Sequence, residues 1–306
     1  MATLKELSQK PESLSEGHRL CAGCSASIAV RQVLMAINKP VVVTCATGCL
    51  EVATTIYPYT AWNVPFVHSA FENAGATISG IEAAYNNLKK KGKIDKDIQF
   101  VAFGGDGGTY DIGFQALSGM IERGHNALYV CYNNEAYMNT GIQRSGATPK
   151  GANTTTAPAG FVSSGKKEQK KNLTECIIAH NISYAAQSIV GNWKDLTNKV
   201  QKAVSIQGTS FINILSPCRL GWGFPQEMTL EIGRLAVESC IWPLYEFENG
   251  KYKITYQPKE KKSVIEWLKS QSRFAHLFKN GKEDIIEEIQ KHIDFEWERL
   301  IKRSAE

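Results

Sequence analysis

Two sets of residues stand out for the chemistry that their types and spacing permit. The first is Gly104-Gly105-Asp106-Gly107-Gly108, which directly follows the apolar run IQFVAF at residues 98–103. Glycines after a strand let backbone N–H groups approach an anion closely, and Asp106 sets a hard oxygen ligand among them. The next apolar run, LYVCY at 128–132, ends at Asn133-Asn134. The Asp106 carboxylate, the Asn134 amide oxygen, the Ala136 backbone carbonyl and two phosphate oxygens would make a set that suits Mg²⁺. A glycine-rich turn after a strand is common by itself; the second strand end is what singles this one out. It is not a dinucleotide fingerprint, because Tyr110 stands where the third glycine belongs. Residues 160–167 (GFVSSGKK) approach a nucleotide-binding P-loop but lack its final Ser or Thr and follow no strand.

The second set comes from the eight cysteines. In a cytosolic chain these read as reduced thiols, either buried small residues or metal ligands, rather than disulfides. Cys21-Ala22-Gly23-Cys24 is a tight pair that can serve zinc, an iron–sulfur cluster or thiol redox chemistry. No second CxxC follows, so further ligands must come from far along the chain. Cys49 and Cys218 are the candidates, each just beyond an expected strand. Cys131 lies inside a strand, and Cys176 and Cys240 lie in apolar-patterned segments, so these three read as buried small residues. Cys45 is ambiguous and is left out of the ligand set.

The elements that must position these residues alternate. Residues 25–38 and 72–90 have helical spacing, 41–44 and 98–103 are β-branched or apolar runs, 113–123 is a helix and 128–132 a strand. Helical patterning returns at 173–181 and 193–206, and 211–215 is a strand ending at Ser216-Pro217-Cys218. This predicts an α/β fold: a mostly parallel, twisted sheet with helices on both faces. In such sheets ligands bind beyond the carboxyl ends of the strands, and four strand ends here carry unusual residues. Residues 140–172 read as a long loop or lid, and 240–256 as a hairpin turning at Asn249-Gly250. Residues 1–16 read as a polar lead-in, and about 260–306 as a helical extension of one domain spanning 1–306. In that extension Ile285, Ile286, Ile289, Ile293 and Trp297 form a stripe that packs on its own domain or on another subunit.

Composition narrows the class. A chain of 306 residues with net charge +5 is ordinary for a globular protein with a sizeable core. The N-terminus has no apolar signal region, and no apolar run is long enough to span a membrane, so a cytoplasmic location is expected. The basic runs at 89–93 and 166–171 are short and lack interleaved aromatics, which argues against nucleic acid.

CAGC, ATGCLEV, GGDGGTYDIG, NNEAYMNTGIQ and SPC, in this order, resemble the β subunits of 2-oxoacid:ferredoxin oxidoreductases, the pyruvate enzymes in particular. The resemblance runs from residue 17 to 280. It implies a thiamine diphosphate-binding fold in which Asp106, Asn134 and the Ala136 carbonyl hold Mg²⁺ on the diphosphate. It further implies cofactor contacts from Thr47, Gly48, Gly105, Gly107, Gly108, Asn139 and Thr140. Four cysteines, here Cys21, Cys24, Cys49 and Cys218, would bind a [4Fe–4S] cluster close to the thiamine. One departure is Ser25-Ala26 after CAGC, where relatives often have glycine and some an acidic residue. Asn139 would reach the reaction pocket, where an amide can donate to a developing oxyanion; its plainer reading is a turn asparagine.

The same resemblance implies pyruvate oxidation to acetyl-CoA and CO₂, or the reverse, with coenzyme A and ferredoxin as reaction partners. Thiamine activation needs a glutamate that no carboxylate here can be assigned to supply, and the chain has no ferredoxin-type cysteine run. The family carries these on α, γ and δ subunits, so a hetero-oligomer is expected. Residues 51–73 look more like pyruvate enzymes than branched-chain ones, with oxalate and other 2-oxoacids as alternatives. A non-oxidative thiamine-dependent decarboxylase would need no cysteine quartet, and a structural zinc protein would leave the diphosphate motif idle.

Overall fold

The structure, a computed structural model, describes residues 3–279 and 281–306. Its regular elements are α1 (Leu4–Ser8), α2 (Ser25–Met35), β1 (Val41–Ala46), α3 (Cys49–Thr54), β2 (Phe66–Ser69), α4 (Ala74–Lys90) and β3 (Gln99–Gly105). A π-helical turn (Gly107–Ile112) leads into α5 (Phe114–Glu122), then β4 (Leu128–Asn133), α6 (Leu173–Ile178), β5 (Tyr184–Ile189), α7 (Trp193–Ser205) and β6 (Ser210–Leu215). There follow α8 (Arg219–Trp222), α9 (Thr229–Glu238), β7 (Leu244–Glu248), β8 (Lys251–Tyr256), α10 (Val264–Lys269) and α11 (Glu283–Ala305).

The strands form one sheet in the order β2-β1-β3-β4-β6-β5-β7-β8. Strands β1 to β6 pair in parallel, and β7 and β8 extend the sheet antiparallel at one edge. Helices cover both faces, as the alternation predicts. Side chains of β3 show why: Val101 and Phe103 join the core with Val30 of α2 and Val200 of α7, while Phe100 and Ala102 join the opposite core with Ile78 of α4 and Leu117 of α5. A strand buried on both sides is apolar almost throughout, hence the run FVAF at residues 100–103.

Several elements differ from expectation. Residues 3–16 do more than lead in: Thr3 caps α1, Leu7 and Leu14 are buried, and Leu14 bridges to Trp62. Two isolated leucines in a polar segment leave no period to read. Strand β2 was hidden because it is four residues long and half exposed at the sheet edge, and β5 because Ala185, Ala186 and Gln187 dilute its apolar pattern. The hairpin turns where expected, with φ of 48° at Asn249 and 89° at Gly250, as a two-residue primed turn requires.

The α11 stripe packs on its own chain. Ile286, Ile289, Ile293, Trp297 and Leu300 are buried with residues of α10 and β7 in one core, and Ile285 is half-buried. Ile286→Ala should therefore destabilise the chain by about 2–4 kcal/mol in denaturant unfolding. Phe295→Ala, on a residue 61% exposed, should stay within about 0.5 kcal/mol. Equal, negligible effects would mean that the stripe contributes nothing to this packing.

Candidate active site

Strands β1, β3, β4 and β6 are consecutive neighbours and parallel, so their carboxyl ends lie side by side on one edge. The four strand ends singled out in the sequence are these four. A cleft on that edge is lined by Thr47, Gly48 and Cys49 after β1, by Gly105, Asp106, Gly107 and Gly108 after β3, and by Asn134, Ala136, Tyr137, Met138, Asn139 and Thr140 after β4. Phe71 and Tyr132 complete its wall. Every residue expected to touch the diphosphate or its cation thus borders one space, with Asn139 and Thr140 exposed at the rim.

Asp106 is 1% exposed. Its Oδ1 accepts from the Asn134 backbone N–H at 3.2 Å, and its Oδ2 accepts from the Ser145 hydroxyl. Burial is the dominant influence and pushes the carboxyl up to about 8, against the pull of these hydrogen bonds. One end of the Asn134 side-chain amide lies 2.8 Å from both Asp106 Oδ1 and the Ala136 carbonyl oxygen. With its nitrogen there, the amide donates to both. With its oxygen there, three oxygens converge, an arrangement stable only around a cation. Carboxylate, amide and carbonyl oxygens are the hard donors that Mg²⁺ takes, so the residues present fit that ion.

The turn that carries this set is held from several directions. Glu135 adopts φ of 65°. Its N–H donates to Asn133 Oδ1 at 3.0 Å, its carbonyl accepts from Thr148 at 2.7 Å, and its buried carboxylate meets Arg273 at 2.6 Å. The Trp222 indole donates to the Asn134 carbonyl at 2.7 Å. None of Ser145, Thr148, Trp222 or Arg273 was legible as a site residue, because each acts through contacts distant in sequence. Lys166, from the P-loop lookalike, holds no phosphate loop; its ammonium donates to the Thr148 carbonyl at 2.6 Å, in the loop that caps Asp106.

The glycines answer to space rather than to unusual dihedrals. A side chain at Gly107 would collide with the Tyr137 ring, whose hydroxyl donates to the Gly107 carbonyl at 3.0 Å. A Cβ on Gly108 would lie 2.8 Å from the Phe71 carbonyl oxygen. Tyr132 was missed by the sequence reading, which saw only an apolar strand. Its buried hydroxyl has no hydrogen-bond partner among the described residues and faces Gly48, where a Cβ would come within 2.6 Å. An orphaned donor beside a glycine-lined cleft fits an anionic group such as a diphosphate.

The candidate cysteines sit at element starts: Cys24 precedes α2, Cys49 opens α3, and Cys218 precedes α8. Cys21 and Cys24 close a turn through the Cys24 N–H and the Cys21 carbonyl at 2.9 Å. The Ser25 hydroxyl donates to the Pro217 carbonyl at 2.9 Å, tying that turn to the segment of Cys218. Burial pushes the Cys24 thiol up to about 11 and Cys49 up to about 12, and raises Cys218. The remaining causes for Cys49 include Cys218, Cys24 and Cys21, so the four sulfurs share one neighbourhood. Among the described residues, no group of three or more His, Cys, Asp or Glu side chains is gathered closely enough to hold a single metal ion. A four-iron cluster separates its thiolates more widely than one ion does, and backbone N–H groups near Cys24 and Cys218 favour thiolates there. Cys45, Cys131 and Cys240 are buried, and Cys176 is half-buried in α6.

Residues 46–214 match the family described as thiamine pyrophosphate enzyme, C-terminal TPP binding domain. The pyruvate synthase subunit PorB of Thermotoga maritima is 52% identical over 97% of this chain and 94% of its own length. The chain belongs to the PorB family of 2-oxoacid oxidoreductase subunits. The family also takes in relatives of other names: the ketoisovalerate oxidoreductase subunit VorB of Pyrococcus abyssi is 48% identical over 95% of this chain and 93% of its own length. A solved 2-oxoglutarate:ferredoxin oxidoreductase from Magnetococcus marinus shares the fold, with a TM-score of 0.56 at 24% identity over 67% of this chain and 66% of that one. Among the described residues no helix is long and apolar enough to cross a membrane.

Three outcomes are expected at this site. With the Asp106 carboxyl raised to about 8, a proton competes with the cation. The Mg²⁺ affinity of the thiamine-loaded protein should rise about tenfold per pH unit between pH 6 and 8 and then level off. In the metal-free chain the same raised group lends stability at acid pH that is lost as pH climbs towards 8. Asp106→Asn should abolish both slopes in calorimetric titrations and melts; slopes that survive it would assign them to another group. Tyr132→Phe should weaken thiamine diphosphate binding about tenfold without lowering the melting temperature, since the hydroxyl it removes is unpaired.

Proposed function

We propose that the chain is the thiamine diphosphate-binding β subunit of a pyruvate:ferredoxin oxidoreductase, forming one domain over residues 1–306. The carrying observation is that Cys49 lines the same cleft as Asp106, Asn134 and Ala136 while sharing a neighbourhood with Cys21, Cys24 and Cys218. A diphosphate-and-cation site therefore borders a thiol set suited to a [4Fe–4S] cluster. A non-oxidative decarboxylase has no use for that adjacency.

When bound, thiamine diphosphate supplies the carbon nucleophile for a 2-oxo carbon and the electron sink for loss of CO₂. This chain's own residues bind and orient. Asp106, Asn134 and the Ala136 carbonyl would hold Mg²⁺, whose charge would offset that of the diphosphate. Thr47, Gly48, Gly105, Gly107, Gly108 and Thr140 shape its bed, and the Tyr132 hydroxyl donates to it. Asn139, exposed at the rim, donates to the oxygen of the substrate that gathers charge. Cys21, Cys24, Cys49 and Cys218 would hold the cluster, whose chemistry is one-electron acceptance. Asp106 is the one carboxylate among the described residues lining the cleft, so the glutamate that activates thiamine comes from an α subunit, with γ and δ subunits completing a cytoplasmic complex that serves coenzyme A and ferredoxin. Pyruvate is favoured over a branched-chain 2-oxoacid by residues 51–73, and the PorB relative supports the same choice.

The test is iron, zinc and thiamine content of the anaerobically purified complex, with pyruvate-dependent ferredoxin reduction on the same sample. Thiamine with iron, the iron of this site lost in Cys49→Ala and Cys218→Ala together with ferredoxin reduction, is the expected result. Zinc without thiamine, or full iron in both variants, would overturn the assignment.

A further inference from the structure

Apart from the thiamine cleft, the structure holds a larger cavity of about 270 Å³ between α11, α10, the start of β7 and the segment at 169–173. Its walls are mostly apolar, with Trp242, Tyr245, Trp267 and Trp297 among them. Nothing in the proposed reaction uses this space.

One donor bordering the cavity is left without a good acceptor. Lys170 carries three N–H groups, yet its one hydrogen bond among the described residues, to the Ile241 carbonyl, is long at 3.4 Å. Its nearest carboxylate, Glu135, lies 3.7 Å away and already pairs with Arg273 at 2.6 Å. The ammonium instead stands over the Trp242 ring, 4.7 Å from its centroid. The other lysines and arginines of the lining are engaged: Lys150 with Glu288, Lys171 with Asp111, Arg299 with Glu296 and Arg303 with Glu175. A half-buried cation with only long contacts to its acceptors, above an aromatic wall, is complementary to a carboxylate on an apolar body.

We propose that this cavity is a second ligand site, which binds a small monocarboxylic acid with an aromatic or bulky aliphatic body. The carboxylate pairs with Lys170, and the apolar part lies against Trp242 and Trp297. The site is separate from the 2-oxoacid pocket, because none of its lining residues borders the thiamine cleft.

The probes are 3-phenylpropionate and its neutral amide, titrated into the assembled complex with pyruvate saturating, and followed by calorimetry and tryptophan fluorescence. The acid should bind saturably, and the amide at least tenfold more weakly. Lys170→Met should bring the acid down to the affinity of the amide, and Leu268→Trp, which fills the cavity, should abolish both signals. No saturable binding of the acid, equal affinity for acid and amide, or acid binding unchanged in both variants would each overturn the proposal. The acid–amide comparison uses the unaltered complex, so it decides the matter even where a variant does not fold.

Discussion

A carboxylate buried at the end of a central strand is costly unless a cation answers it, and Asp106 is such a carboxylate. Left to itself it holds its proton up to about pH 8. The surroundings are arranged to keep it in place rather than to neutralise it. The Ser145 hydroxyl and the Asn134 N–H take one oxygen each, and both are neutral donors. Charge neutralisation is left to whatever the carboxylate holds together with the Asn134 amide and the Ala136 carbonyl. The capping loop, pinned by Lys166 through the Thr148 carbonyl, and the turn, pinned by Trp222, Thr148 and Arg273, follow from that need.

The sheet supplies the second requirement, which is adjacency. A parallel sheet brings all its carboxyl ends to one edge, and the crossover order sets which ends are neighbours. Here β1, β3, β4 and β6 are contiguous, so turns far apart in sequence meet. The cysteine segments gather by the same geometry, since Cys49 follows β1 and Cys218 follows β6. Ser25, next to the cysteine pair, proves to be a fastener: its hydroxyl holds the Cys21–Cys24 turn to Pro217.

The cavity beside α11 comes from a different compromise. Its tryptophans bury most of their surface, yet they leave a void bordered by Lys170, whose contacts to its acceptors are long. Interiors are normally packed without such gaps. A gap bordered by a poorly paired ammonium is therefore a feature of different character from the core around it.

The sequence by itself determined what local pattern can encode. Apolar runs marked β1, β3, β4 and β6, Gly104 to Gly108 and the Asn133-Asn134 pair marked their ends, Asn249-Gly250 marked the hairpin, and the α11 stripe was visible at helical spacing. Each of these signals spans a few residues, because side-chain direction repeats every two residues in a strand and every three or four in a helix. Only the tertiary structure decided which polar atoms find partners. Ser145, Thr148, Trp222 and Arg273 meet the Asp106–Ala136 site through loop closures, and Tyr132 hid within an apolar strand until its hydroxyl proved unpaired. The stripe of α11 was compatible with its own core, the commoner case, or a neighbour's, and packing laid it on its own. Periodicity specifies which face of an element is buried; what it is buried against depends on how the whole chain closes around it.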